Sequence, residues 1–395
     1  MPPSTTVTLR PRGVARLRAG HPWVYRSDVA SPGGAAAGSL VRVADPRGKF
    51  LGSALYSSSS EIAIRLLATR ELPGPDDLLA LLRQRLLAAL EYRRRVVRDS
   101  DACRLVFSEA DGLPGLIVDR YNEILSLQVL TQAMDQSAIR DSVVATLVEA
   151  LSPASVVERV EPRIRELEKL PPRPGGALRG DLTRTVIAMN GTRFHYDALA
   201  GQKTGLFLDQ RENYAAAAQY ARGEALDVCC YQGGFALHLA RAGCRVTGVD
   251  SSRPALEVAE QNAALNSLPE MEWIEANAFD LLKDYATAGR RYDTIVLDPP
   301  PFARSKSALA TALRGYKEFN LRALKMLRSG GLLVTCSCSF HVGPQDFLEM
   351  LASAARDAHR SLRLLEQRTQ AKDHPIVPTI PETSYLKCLI LIVSD

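Results

Sequence analysis

Cys338 closes the apolar run GLLVTCSCS (331–339), and forty residues upstream Asp298 closes another, in VLDPPPFARSK (296–306). A thiol and an acid-Pro-Pro turn, each at the end of a strand-like run, are an uncommon pair. The proline-rich turn can hold a planar base, and the thiol is a nucleophile offered to the same pocket. Carbon 5 of a cytosine is too weak a nucleophile to take a methyl group unaided. Addition of a thiolate to carbon 6 makes the ring enamine-like, so a placed cysteine is a requirement of that chemistry. The competing reading of Cys338 is a buried strand-end thiol with no chemistry. Cys336, two residues earlier, faces the same side of a strand, so both thiols can approach the pocket. Zinc binding by the pair is not expected, because no second pair of ligands follows at suitable spacing.

These residues need strand ends to carry them, and from about Thr185 onward strands and helices alternate. Strands read at 225–230, 244–250, 271–276, 292–298 and 331–337, with helices between them, for example Pro254 to Asn266 and Leu309 to Leu327. That rhythm predicts a parallel sheet covered on both faces. The apolar stretch TSYLKCLILIV (383–393) reads as a last strand inserted antiparallel. Ligands in such sheets bind beyond the C-terminal strand ends, so the loops after the five strands form the site.

The loops carry chemistry in turn. After the first strand comes Cys229-Cys230-Tyr231-Gln232-Gly233-Gly234-Phe235, where glycine lets backbone approach a ligand at a helix N-terminus. The second strand ends at Asp250, twenty-three residues after Asp227. An acid there grips ribose hydroxyls in nucleoside-binding folds, or else only caps the next helix. The third strand ends at Asn277-Ala278-Phe279, which can hold adenine by an amide and an aromatic edge, with Asn277 as a plain N-cap the alternative. No GxGxxG diphosphate loop is present, so the expected cofactor is a nucleoside without phosphates to cradle. S-adenosylmethionine fits.

The first 185 residues read differently. Residues 1–69 form short strands broken by Gly and Pro, a small β-barrel. Residues 70–184 hold an amphipathic helix (Asp76 to Val97), two strand-like runs around Asp111-Gly112-Leu113-Pro114-Gly115, and a helix from about Asp135 to Leu151. The chain carries +5 overall, but residues 1–70 have ten basic residues against three acids, a net +7 that leaves the rest at −2. A basic module on a near-neutral body suggests a polyanion partner, against the alternative of a solvated arginine surface. The cluster Arg10 to Arg18 runs into Gly20-His21-Pro22-Trp23-Val24-Tyr25, mixing cations with aromatics as single-strand RNA binders do. Seven cysteines without regular spacing argue for free thiols in a reducing cytoplasm. No apolar stretch approaches the roughly 20 residues of a membrane span, and the N-terminus has no apolar run after its basic residues, so export is not expected.

The last 200 residues resemble a class I S-adenosylmethionine-dependent methyltransferase. The whole chain resembles the bacterial 23S rRNA cytosine-carbon-5 methyltransferases of the RlmI type. The resemblance is carried by GHPWVY (20–25), SEADGLPGLIVDRY (108–121), GQKTGLFLDQRENY (201–214), CCYQGGFALHLA (229–240), DPPPF, RGYKEFN (314–320), SCS, DHP (373–375) and YLK (385–387). It implies an α/β chain: a Rossmann-like, seven-stranded methyltransferase domain (185–395) preceded by a PUA-like barrel (1–69) and an α+β middle domain (70–184). It further implies that Asp227, Tyr231, Gly233, Phe235, Asp250, Ser251, Asn277, Ala278, Phe279, Asp298 and Pro299 hold S-adenosylmethionine, with Phe207 and Gln210 closing over it. Cys338 is then the nucleophile and Asp298 its catalytic partner. Arg12, Arg16, Arg18, His21, Trp23, Lys306 and Lys317 are the expected RNA contacts, although a solvated helix face explains the two lysines about as well. The family usually has an acid where Asn277 stands, and the amide oxygen can still accept from the adenine amine.

The implied partner is ribosomal RNA, 23S in particular, in the cytoplasm, with no membrane and no metal; a homodimer is compatible. Three readings compete with cytosine methylation: a same-fold enzyme methylating a guanine nitrogen, a small-molecule methyltransferase, and a non-catalytic RNA-binding protein. His341, His374 and Lys387 receive no role from the sequence.

Overall fold

The computed structural model describes residues 5–200, 205–303 and 305–395, apart from the side chain of Lys306. The chain divides into two compact units: residues 1–185 with 196–205 and 372–383, and residues 186–195, 206–371 and 384–395.

The first unit opens on a six-stranded sheet of Thr6–Leu9, Trp23–Tyr25, Val29–Ser31, Leu40–Ala44, Phe50–Tyr56 and Ile62–Ala68. Its alternating Val, Leu and Ile side chains bury a core of Val7, Leu9, Val24, Val41, Val43 and Ile64. The arginine cluster lies on a short helix, Pro11–Arg18, which the sequence reading did not foresee. Proline at its start sets the first φ, and Gly13 lets the helix close on Val24, where a Cβ would lie 2.9 Å from Cγ1. The expected helices follow at Pro75–Val96 and Ser137–Leu151, and their leucines pack on the five-stranded sheet Ala102–Phe107, Leu116–Tyr121, Ile124–Val129, Ser155–Glu158 and Gly176–Arg179.

The Asp-His-Pro motif belongs to this first unit. Asp373 accepts from the Arg104 amide (2.8 Å) and lies 3.1 Å from His374 Nδ1, while Arg93 Nη2 donates to the Asp373 carbonyl (2.8 Å). Both motif residues are fully buried, and the His374 ring packs on Phe107. Asp-His-Pro is a structural staple here.

The second unit is built on a seven-stranded sheet in the order Glu272–Glu275, Arg245–Asp250, Glu224–Val228, Tyr292–Leu297, Leu327–Ser337, Lys387–Ser394, Ser361–Arg368. The first five strands are parallel and Lys387–Ser394 runs antiparallel between the last parallel strand and the edge. Strand order reverses between Glu224–Val228 and Tyr292–Leu297, and at that switch the ends carry Cys229 to Gly233 on one side and Asp298 on the other. Helices Gly234–Arg241, Arg253–Leu265, Ala278–Thr287, Leu309–Met326 and Pro344–Ala358 complete the unit. The edge strand Ser361–Arg368 was not anticipated.

Candidate active site

The two strand ends that opened the sequence reading meet. Cys338 lies just past the strand Leu327–Ser337, half-buried, with Sγ 3.9 Å from the Pro299 carbonyl oxygen. Cys336, by contrast, does not reach the mouth. It is fully buried inside the strand, opposite Cys388 in register, and burial pushes its thiol well above the ordinary range. The period-two rule fails to unite the thiols because the strand ends at Ser337, between them.

Asp298 is held from behind. Its carboxylate accepts from Gln210 Nε2 (3.0 Å); Gln210 Oε1 accepts from Asn213 (2.6 Å), and Asn213 Oδ1 from Arg368 Nε (2.9 Å). Gln210, from the short turn Leu208–Gln210, and Asn213, from helix Arg211–Tyr220, are both buried. A buried chain of this kind fixes the rotamer of its last member, so Asp298 is aimed by residues of three other elements. The thiol loop is braced as firmly. Ser339 Oγ meets the Tyr316 hydroxyl (3.0 Å) and the Ala303 amide (3.2 Å), joining the SCS segment to the turn after Phe302 and to helix Leu309–Met326.

The loops at the switch point carry the residues expected to hold a nucleoside. Asp250 accepts from the Tyr231 amide (2.9 Å) and the Ser252 amide (2.9 Å), while Ser252 itself caps the following helix. Asp250 is therefore not that cap; it ties the Cys229–Gly233 loop to the second strand end. That loop is strained, since Cys229 (φ 65°) and Tyr231 (φ 49°) both stand in the left-handed region. Gly234 is obligatory, because a Cβ there would lie 2.4 Å from the Tyr214 ring. Phe207 packs edge-on against Tyr231 at 5.1 Å, while the Gly201–Thr204 part of its motif lies outside the described residues. Phe235 is buried beneath the loop against Tyr214, so of the expected cofactor residues it supports rather than faces the cradle. Ser251 follows Asp250 on the exposed rim.

Asp227 is the cradle's most telling residue. It is completely buried, its Oδ2 accepts from the Ala236 amide (2.8 Å), and its Oδ1 has no partner among the described residues. Burial, with the nearby Asp298 and Asp250 carboxylates adding like charge, raises it to about 8. Three carboxylates converging with one oxygen orphaned is a site that asks for a cation. S-adenosylmethionine carries two positive groups, the sulfonium and the amino group, so the residues fit it.

At the adenine turn the expectation needs one correction. Asn277 Oδ1 accepts from the Phe279 (2.9 Å) and Asp280 (3.4 Å) amides and is the N-cap of helix Ala278–Thr287. The oxygen is thus occupied, and the side-chain nitrogen is the group left for an adenine ring. Phe279 is 40% exposed and packs edge-on against Phe319 at 4.2 Å, offering an open face. Asn277→Asp should keep the cap, add an acceptor for the adenine amine and tighten S-adenosylhomocysteine binding several-fold by calorimetry. Weaker or unchanged binding contradicts that placement.

The residues expected to meet RNA differ in their local settings. Arg12 and Arg18 are 74% and 62% exposed in their side chains, each near a carboxylate, Asp28 at 3.7 Å and Asp45 at 3.8 Å. Arg16 lies over the Tyr25 ring at 4.6 Å. His21 instead pairs with Glu382 (3.0 Å), and the Trp23 indole donates to Glu109 (3.0 Å). These two rings hold the first unit together more than they face outward. Lys317 pairs with Asp357 at 2.7 Å; Lys306 lies in the turn Lys306–Ala308, and its side chain falls outside the described residues. No group of metal-ligating side chains was found among the described residues, and none of their helices is long and apolar enough to cross a membrane.

Known proteins resemble this chain along most of its length. Residues 7–69 match the PUA-like domain family, and residues 172–391 match the S-adenosylmethionine-dependent methyltransferase family. Ribosomal RNA large subunit methyltransferase I of Alteromonas mediterranea is 35% identical over 99% of this chain and 100% of its own. The same enzyme of Shewanella frigidimarina is 37% identical over 97% and 98%. This chain belongs to the ribosomal RNA large subunit methyltransferase I family. Its cofactor is S-adenosylmethionine, and its fold is the family's Rossmann-like sheet behind a PUA-like domain. Among solved structures, a protein crystallised with SAH superposes with a TM-score of 0.83 over 98% of this chain and 99% of that one, at 18% identity. A chain from Streptococcus mutans gives 0.81 over the same shares. At that identity the likeness speaks for the fold alone.

Proposed function

We propose that this methyltransferase transfers a methyl group to carbon 5 of a cytosine in 23S ribosomal RNA, through a covalent adduct between Cys338 and carbon 6. The observation that carries the reading is the approach of Cys338 Sγ to the Pro299 carbonyl, which puts the thiol on the rim of the turn that Asp298 begins. A flipped cytosine lying on that turn meets the thiol on one side and the cofactor cradle on the other. The bound cofactor supplies an electrophilic methyl group on a sulfonium. The chain's own part is to position the base, add sulfur to carbon 6 and orient Asp298, through Gln210, toward the ring nitrogen and exocyclic amine. The setting is the cytoplasm, and the names of the relatives point to large-subunit ribosomal RNA.

Nucleoside mass spectrometry of 23S RNA from a deletion strain tests the reading. Loss of one 5-methylcytidine, restored by the wild-type chain, is expected; loss of a methylguanosine would instead establish the guanine-nitrogen reading. For the arginine helix, RNA affinity should fall steeply with salt, and replacing Arg12, Arg16 and Arg18 together by Ala should flatten the slope of log affinity against log salt by about 2–3. An unchanged slope removes that helix from the RNA surface.

A further inference from the structure

A buried lysine lies under the cysteine loop without a part in the scheme above. Lys387 opens the antiparallel strand Lys387–Ser394, in register with Ser337, the residue that delivers Cys338. It is 7% exposed. Its Nζ donates to the Ser339 carbonyl (2.6 Å) and to the Tyr385 carbonyl (2.9 Å). Among the described residues no carboxylate pairs with it, and the one ionisable group whose charge acts on it is the Cys338 thiol. A buried ammonium without a counter-ion is costly, and burial accordingly brings Lys387 down to about 8, with Cys338 opposing the shift. With two positions of the nitrogen turned to carbonyls, the third is a lone pair in the amine and an N–H in the ammonium. The amine can accept a proton from a neighbouring thiol, and the ammonium can return one to the thiolate.

Resting on the covalent reading just given, we propose that Lys387 takes and holds the proton of the Cys338 thiol. The S–H bond breaks, an N–H bond forms on Nζ, and the pair left on sulfur makes the thiolate. That pair forms the S–C6 bond while the ring's 5,6 π pair moves to carbon 5, which accepts the methyl group. When the carbon-5 proton leaves to solvent, its bonding pair restores the 5,6 double bond and the S–C6 pair returns to sulfur. The ammonium can then return its proton, so the cycle releases only the carbon-5 proton. Among the described residues, other titratable groups near the thiol include Tyr316 on helix Leu309–Met326, Cys336 on the preceding strand, Cys388 opposite Cys336, Asp298 beside Pro299, and His341 three residues on. Burial pushes Tyr316 and Cys336 up, away from the neutral range.

The test reads the thiol and not turnover. Alkylation of Cys338 by iodoacetamide, followed by peptide mass spectrometry on the full chain without RNA, should rise with pH about a midpoint well below the ordinary thiol value of about 8.5. Lys387→Met should move that midpoint up by at least one pH unit and slow alkylation about tenfold at pH 7.5, with half-buried Cys229 as the internal control and S-adenosylhomocysteine binding reporting the fold. A wild-type midpoint at or above 8.5 overturns the proposal without any variant, and so does a profile that Lys387→Met leaves unmoved. Turnover of Cys338→Ala separates the two layers. If that variant is inactive and the profile is unmoved, only the Lys387 assignment falls; if it is active, the covalent reading beneath it falls.

Discussion

Cys338→Ala should lower methylation at least about 10⁴-fold while leaving S-adenosylmethionine affinity within about twofold. The asymmetry follows from where the side chain stands. Sγ is at the Pro299 carbonyl, on the side proposed for the base, and the groups expected to hold the cofactor (Asp227, Tyr231, Asp250 and the Asn277 turn) reach their positions through other strand ends. Removing a nucleophile takes away a path and not an increment of binding, so the loss falls in kcat. Stability should change little, because the thiol is half-buried and outside the strand. An RNA carrying 5-fluorocytidine at the target gives the second readout. Fluorine cannot leave as a proton, so the adduct with the wild-type chain should survive denaturing electrophoresis, and Cys338→Ala should form none. Turnover by the variant within tenfold of wild type would remove the covalent step and leave direct transfer to a more nucleophilic atom.

Much of this site was legible in the sequence, for a physical reason. The inner parallel strands Glu224–Val228 and Tyr292–Leu297 are largely buried and read as apolar runs, so their ends, where chemistry must sit, could be located within a residue or two. The edge strand Ser361–Arg368 escaped because an edge is buried on one side at most; SLRLLEQR leaves Leu364 and Leu365 largely exposed and shows no apolar run. The helix Pro11–Arg18 escaped because only Gly13, Val14 and Leu17 are buried, too few for a periodic signal. What no local pattern could reveal were partners distant in sequence. His21 is held by a carboxylate 361 residues away and Asp373 by Arg93 at a separation of 280. A histidine and a tryptophan beside arginines therefore looked like a stacking surface, and Asp-His-Pro received no role. Lys387 was opaque for the same reason: only the register Ser337 to Lys387 places an ammonium behind a thiol loop.

Asp227→Asn should stabilise the chain without cofactor and weaken the cofactor's binding. In the folded chain Asp227 is raised to about 8, against about 3.9 in an unfolded chain. Between those values the folded state holds a proton the unfolded state lacks, so this group favours folding in acid and the benefit is lost as pH rises toward 8. An amide keeps the bond from Ala236 and carries no charge to desolvate, so Tm near pH 8 should rise by a few degrees and its decline between pH 6 and 8 should flatten. Binding runs the other way. A cationic ligand beside the orphaned Oδ1 favours the ionised form, so the wild-type chain should release a proton on binding S-adenosylmethionine, and its affinity should increase from pH 6.5 to 8. Asp227→Asn should lose that pH dependence and about 10²-fold in affinity, read by calorimetry in buffers of different ionisation enthalpy. A variant that binds as tightly as wild type at every pH would mean that the buried carboxylate serves the fold alone, and that the cation is met by Asp250 and Asp298.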